Sequence, residues 1–471
     1  MYSLSAFRTY DIRGIWQEEI DEKLGKIMGY SLGLHLLEKS TTPKILIASD
    51  VRENNIPLMD NFLAGLKYAG IHEVTVVGKS SDFEKYSYGV CSTPFAYFAA
   101  REFDCTCICT ASHNTSEYVG IKIVDSKALP LPSKKLRELF QNHEQTNLTL
   151  ANTPPEILSY SGDKIRELQS DLHEKYTTLR KIPKITIDYS HGAATHFEQA
   201  FFREVLWEHA VHIFTTPDGD FPAHETDTSR FANYTPLLKA IQENGSDCGF
   251  IFDGDADRFW LVLRDGRIIT GDIILSIIAK ELLTDGWAKK LGSNTIFQEV
   301  FCGRIVADTV KKYWGNLQMT RVWRNAFVGE VVEKNGLLAG EVSTHLLFKE
   351  YGTIEMPLAG FYYLLKAFEK SESIPKLMEE FDIYTRGQVL QFMTDDQDGV
   401  IEKLKQTYAT QKLITIDGVR VEGPDWWLCA RKSWTEPLIK VALEWHNQEQ
   451  YNSIASELRK FFTENGAREK I

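Results

Sequence analysis

No apolar run in this chain approaches the about 20 residues that a helix needs to cross a bilayer, so no membrane span is expected. Positive charge is also short. The 53 Lys and Arg residues stand against 65 Asp and Glu, a formal net charge of -12. A nucleic acid or an anionic membrane requires a basic footprint, and neither is expected as a partner. A small anion is not excluded, because a basic pocket fits inside an acidic envelope. The seven cysteines are odd in number and no pair has zinc-finger spacing. Cys105, Cys107 and Cys109 alternate along one predicted strand and read as small buried hydrophobes, which suits a reducing cytoplasm better than a disulfide framework. The first eight residues carry no basic stretch leading into an apolar one, so no signal peptide and a cytoplasmic location are expected. Low-complexity segments and short repeat periods are missing too, which excludes a solenoid.

What is present is length and alternation. The 471 residues exceed one ordinary core, and 43% hydrophobic with 25% charged residues is the balance of a globular protein. From about residue 43, strand-length apolar runs alternate with helical spacing: Lys44–Ser49, then Leu58, Met59, Phe62, Leu63 and Leu66, then Glu73–Val77, Phe95–Ala100 and Thr106–Thr110. The plan recurs through Lys184–Asp188, Val211–Thr215 and Gly249–Phe252, and again through Thr295–Phe297 and Leu337–Ala339. This predicts three similar α/β domains with mixed, mostly parallel sheets. The tail reads as a separate α+β domain. The expected boundaries are 1–152, 153–265, 266–373 and 374–471.

Four loops hold the chemistry-bearing residues, three of them directly after strands, where open α/β sheets place ligands. Thr110-Ala111-Ser112-His113-Asn114 is either a polar turn or a nucleophile beside a proton handler. Asp253-Gly254-Asp255-Ala256-Asp257-Arg258 puts three carboxylates at alternate positions between apolar runs. They repel one another unless a cation sits among them, and hard oxygen ligands suit Mg²⁺ or Ca²⁺. An EF-hand fails, because Arg258 and Arg264 occupy the positions of its Gly and Glu. Gly340-Glu341-Val342-Ser343-Thr344-His345 offers groups for sugar hydroxyls. Arg431-Lys432-Ser433-Trp434-Thr435 offers cations and hydroxyls for a phosphate or forms a solvated turn.

In this order, and together with Phe7–Gly14, Tyr118, Gly120-Ile121-Lys122 and Asp417–Arg420, the loops resemble the α-D-phosphohexomutase superfamily, its phosphomannomutase/phosphoglucomutase branch in particular. The resemblance implies an isomerase that interconverts hexose 1-phosphate and hexose 6-phosphate through a phosphoserine and a hexose 1,6-bisphosphate. Ser112 would be the phosphoserine, with Mg²⁺ held by Asp253, Asp255, Asp257 and a phosphoserine oxygen. Arg258 would neutralise charge at the transferring group, with acid/base work at His113, Lys122 and His345. Tyr10, Arg13, Glu341, Ser343 and His345 would contact the substrate, and Arg431, Ser433 and Thr435 would grip the phosphate that is not reacting. Glucose 1,6-bisphosphate or mannose 1,6-bisphosphate would activate the enzyme. The partner implied is a small phosphosugar, for a monomer or weak homodimer.

The chain departs from the family pattern at several positions. Thr115 and Ser116 follow Asn114 where Pro is usual, Trp434 stands for Asn, and Thr344 replaces a small residue, commonly Gly. The Lys-Thr-Gly-His stretch is missing around Trp323–Ala326, as are the paired aspartates after Phe348–Gly352. The alternatives are a phosphoglucosamine mutase, against which Ser343 argues, or a non-catalytic phosphosugar-binding relative.

Overall fold

The computed structural model describes residues 4–8, 11–78, 86–148, 153–228, 230–322, 324–433 and 436–470, and the side chains of 324–326 are not among those described. The chain forms two compact units, one of Met1–Thr270 with His345–Glu369, the other of Gly271–Thr344 with Lys370–Ile471.

In the first unit a six-stranded sheet runs Asp11–Ile15, Tyr118–Asp125, Cys105–Cys109, Ile45–Ser49, Glu73–Val76, Glu156–Ser159. The last four are parallel to one another, while Tyr118–Asp125 runs antiparallel to both Asp11–Ile15 and Cys105–Cys109. The antiparallel pair matters because it brings Tyr118–Asp125 back across the sheet beside the serine loop. Cys105, Cys107 and Cys109 lie in one buried cluster with Ile45, Ile47, Ile121 and Ile123, as their alternation predicts. All seven cysteines are free, buried thiols. Helices Glu22–Leu37 and Asn55–Ala69 cover this face and touch backbone to backbone; a Cβ on Gly29 would stand 1.8 Å from the Phe62 carbonyl oxygen.

A second, five-stranded sheet has Ile185–Asp188 parallel to both Ala210–Ile213 and Cys248–Phe252. The strand Phe259–Leu263 folds back antiparallel on Cys248–Phe252, with Phe252 opposite Phe259. The six residues between them are the aspartate loop. The excursion His345–Glu369 is bound into this unit by aromatic packing. The Phe361 ring lies 4.8 Å from Phe202, 4.1 Å from Phe250 and 4.9 Å from Phe259, centroid to centroid.

In the second unit, Thr295–Glu299 is parallel to Asn316–Thr320 and to Leu338–Gly340. The tail is an antiparallel sheet built around Trp426–Lys432 and Leu438–Trp445, with helices Gln397–Thr407 and Gln448–Glu464 packed on a common core. Its other face buries Trp427, Cys429 and Ala442 against Val300 and Phe301. Arg420, stacked 3.9 Å over the Trp427 ring, donates to the carbonyls of Val300 and Cys302 at 2.7 Å each. The strand Leu438–Trp445 was not expected; it starts directly after Pro437, which reads as a loop exit in sequence. Among the described residues, no helix is long and apolar enough to cross a membrane.

Candidate active site

The fully buried strand Cys105–Cys109 delivers the chain to Thr110, whose hydroxyl accepts the Ser112 amide at 2.9 Å. Ser112 has φ 54°, a left-handed conformation uncommon for a residue with a Cβ. That turn leaves its hydroxyl 3.4 Å from the His113 Nδ1 and 3.4 Å from the Arg258 Nη2. Arg13, held to Asp11 through Nε at 3.0 Å, donates to the Asn114 side chain at 3.0 Å.

The aspartate loop packs directly on the serine loop. A Cβ on Gly254 would stand 2.6 Å from the Ser112 carbonyl oxygen, so only glycine fits there. Asp253, Asp255 and Asp257 are buried, and one carboxylate oxygen of each lies within 4.8 Å of the others. Asp253 is paired with the Arg258 Nε at 2.8 Å. Lys122, opposite Asp11 in the antiparallel pair, reaches Asp255 at 2.6 Å and Asp257 at 2.9 Å. Asp255 Oδ1 and Asp257 Oδ1 are buried without a hydrogen bond. Buried acceptor-only oxygens without a hydrogen bond, on three carboxylates clustered this closely, suit a cation, so the residues present fit a hard divalent metal.

Electrostatics separates these groups. Burial pushes the Asp253 carboxyl up, against the pull of Arg258, because Asp257 and Asp255 repel its charge. Burial acts the same way on Asp257, but Lys122, His345 and Arg258 outweigh it and hold that carboxyl below the usual range. The His113 imidazole is held well below its ordinary value by burial and by the charges of Arg258 and Arg13.

His345 was read in sequence as the end of the sugar loop, yet it falls in the first unit. Its Nδ1 lies 3.5 Å from Glu355 and 3.8 Å from Asp257. Sequence reasoning missed Glu355, a fully buried carboxylate three residues beyond the stretch where paired aspartates were sought. It also missed Thr93, at the start of helix Thr93–Ala99, whose hydroxyl donates to Asp255 at 2.6 Å. A Thr-Pro pair after Ser92 marks a helix start, but nothing local points it at a carboxylate 162 residues away.

The remaining predicted groups lie in the second unit. Glu341 follows the strand Leu338–Gly340 and accepts the Ser343 hydroxyl at 3.0 Å. The Val342 amide donates to Glu299 at 2.8 Å. Burial and the neighbouring Glu341 push the Glu299 carboxyl up, opposed by Arg431, which places Glu299, Glu341 and Arg431 in one electrostatic neighbourhood. Arg431 stacks 5.1 Å over Phe301 and its buried Nε makes no hydrogen bond. The Ser433 amide donates to the Leu438 carbonyl at 2.8 Å. Thr344 takes φ 65°, the conformation a glycine would adopt without cost. Tyr10, Thr435 and Trp434 lie outside the described residues, as do Trp323 and the side chains of Arg324–Ala326.

Family models for phosphoglucomutase/phosphomannomutase α/β/α domains I, II and III match residues 4–149, 164–266 and 270–382. The chain belongs to this family. It is 33% identical over 463 residues to a phosphomannomutase of Methanocaldococcus jannaschii, covering 97% of each chain. It is 27% identical over 460 residues to a phosphomannomutase/phosphoglucomutase of Pseudomonas syringae, covering 95% of this chain and 93% of that one. The crystal structure of a phosphoglucomutase/phosphomannomutase family protein from Burkholderia thailandensis superposes with a TM-score of 0.84 at 25% identity, covering all of both chains. The first three loops lie within residues matched by these family models.

Proposed function

We propose that this family member interconverts hexose 1-phosphate and hexose 6-phosphate, with mannose and glucose phosphates as substrates and Ser112 as the phosphoryl carrier. The observation that carries this is the Ser112 hydroxyl 3.4 Å from both the Arg258 Nη2 and the His113 Nδ1, in a loop packed on the one that holds three buried carboxylates. Phosphoryl transfer needs charge compensation at the moving group, and these residues offer it. Asp253, Asp255 and Asp257, with a phosphoserine oxygen, would hold Mg²⁺, which supplies charge neutralisation at the phosphoryl group when bound. In the forward step the phosphoserine P–O bond breaks and a new one forms to a sugar hydroxyl, giving a bisphosphate. The sugar hydroxyl proton would pass to a base such as His113 or His345, while the departing Ser112 oxygen would take a proton from an acid such as the Lys122 ammonium. The second half returns the other phosphoryl group to Ser112. Glu341 and Ser343 would hold ring hydroxyls, and Arg431 with Ser433 the phosphate that is not transferred. Ser343 favours mannose and glucose over glucosamine substrates. The seven buried free thiols support a reducing, cytoplasmic setting.

A coupled assay with mannose 1-phosphate, glucose 1-phosphate and glucosamine 1-phosphate side by side, with and without glucose 1,6-bisphosphate, tests the reading. Turnover of the first two, stimulated by the bisphosphate, is expected. Free phosphate as the sole product would make the chain a phosphatase, and no turnover would make it a binder.

A further inference from the structure

The departures at Thr115 and Ser116 remove the proline that would stiffen the serine loop, and the structure shows what holds the loop instead. Arg52 lies just beyond the strand Ile45–Ser49 and is 1% exposed. Its Nη2 donates to the carbonyls of Ser112 at 2.9 Å and Asn114 at 2.6 Å. Its Nη1 donates to the carbonyls of Thr115 and Tyr118. The Nε donates to Asp50 at 3.1 Å, and Asp50 in turn accepts the Arg52 amide at 3.0 Å and the Asn55 side chain at 2.7 Å. The Phe221 ring packs 5.0 Å from the guanidinium carbon.

We infer that Arg52 is a positioning residue for phosphoryl transfer, the clamp that holds Ser112 in its left-handed conformation with the hydroxyl turned toward Arg258. This rests on the reading of Ser112 as the phosphoryl carrier. Every guanidinium nitrogen is committed to a carbonyl or to Asp50, so Arg52 presents no donor to a phosphate and acts only through the loop. A planar fork with five N–H groups reaches four carbonyls and a carboxylate at once; an ammonium with three donors on a flexible stem does not. A charged group this deeply buried needs such partners, and losing it leaves buried carbonyls unpaired in the loop that carries the nucleophile. A local pattern does not reveal this, since Arg52 and Tyr118 are 66 residues apart.

The test is the full-length Arg52→Lys protein, read by amide hydrogen exchange and steady-state kinetics. Exchange over residues 111–118 is expected to speed up about tenfold or more while strands elsewhere keep their protection. The kcat is expected to fall on the order of 100-fold, as for a misplaced reacting group, with KM held within about twofold. Unchanged exchange over 111–118 in folded Arg52→Lys protein, or a loss carried by KM alone, overturns the proposal. If Arg52→Lys does not fold, Phe221→Leu loosens the guanidinium while keeping it. Faster exchange confined to 111–118 then supports the clamp, and unchanged exchange there overturns it. Wild-type protein that turns over no hexose phosphate would refute the mutase reading, while the exchange comparison would still decide the role of Arg52.

Discussion

The serine and aspartate loops differ from the sugar and phosphate loops in how their polar atoms are satisfied. In the first pair most of the charged groups have buried partners, several from a distant strand or helix: Lys122 on Asp255 and Asp257, and Thr93 on Asp255, with Arg258 held to Asp253 inside its own loop. The exceptions among the described residues are Asp255 Oδ1 and Asp257 Oδ1, which make no hydrogen bond. In the second pair several bonds are local, although the Val342 amide reaches Glu299 and the Lys432 ammonium reaches Asp398. Ser343 donates to Glu341 two residues away, Arg431 to the next carbonyl, and the Arg431 Nε makes no hydrogen bond. The difference suits the two tasks proposed for them. A reaction centre gains by fixing charges before substrate arrives, because no reorganisation is then needed in the transition state. A recognition loop gains by exchanging weak internal bonds for stronger charge-assisted ones to a phosphate.

The sharpest way to break this contrast is Ser112→Ala. Initial rates should fall by several powers of ten, on the order of 10⁴ or more, as for other lost nucleophiles. The melting temperature should stay close to wild type, since the hydroxyl makes only two contacts of 3.4 Å. Near-normal turnover would remove the phosphoserine assignment and with it the distinction between the two pairs of loops.

Asp255→Asn probes the same centre through the metal. Exhaustive chelation should stop turnover in wild type and Mg²⁺ should restore it. The variant should need a higher Mg²⁺ concentration for half-maximal rate, and calorimetry should show the weaker binding directly. Activity that survives chelation with no metal retained would refute the role of the carboxylates.

For the recognition loops the expected effect is smaller and of another kind. Arg431→Ala should raise KM for the sugar phosphate and leave kcat nearly unchanged. Losing one charge-assisted contact costs about 1.5–3 kcal/mol, or roughly one to two decades in kcat/KM. A fall confined to kcat would place Arg431 with the reaction centre and blur the comparison.

The smallest effect is expected at Thr344. A β-branched residue at φ 65° is strained, and Thr344→Gly should relieve that strain at the expense of a more flexible unfolded chain. The net gain should be on the order of 1 kcal/mol, visible as a raised midpoint in chemical denaturation. An unchanged or lowered midpoint would show that the bond from the Thr344 hydroxyl to the Ser343 carbonyl, at 2.7 Å, matters more than the backbone.

The two pairs of loops were unequally legible. The serine and aspartate loops were read because each is a short run directly after an apolar strand, so one window holds both motif and context. The cysteine strand gave itself away by period-2 alternation, and its three thiols are buried as that pattern requires. His345 was assigned with Glu341 and Ser343 because it is their neighbour in the chain, yet its ring lies beside Asp257 and Glu355. Lys122 was read as an acid or base; the fold sets its ammonium between two carboxylates first. The strand Leu438–Trp445 was missed because proline and charge at its start resemble a loop.

The amino-acid sequence by itself determined the family and the α/β plan, and it nominated the candidate reactive groups, because motifs and hydrophobic periods are properties of adjacent residues. Only the tertiary structure decided which partners hold those groups. Arg52 on the serine-loop carbonyls, Thr93 on Asp255 and Glu355 beside His345 are choices made by sheet order and antiparallel return. The physical reason is distance along the chain: a buried charge must find its counter-charge wherever the fold brings one, and a contact 133 residues away, as from Lys122 to Asp255, leaves no local trace.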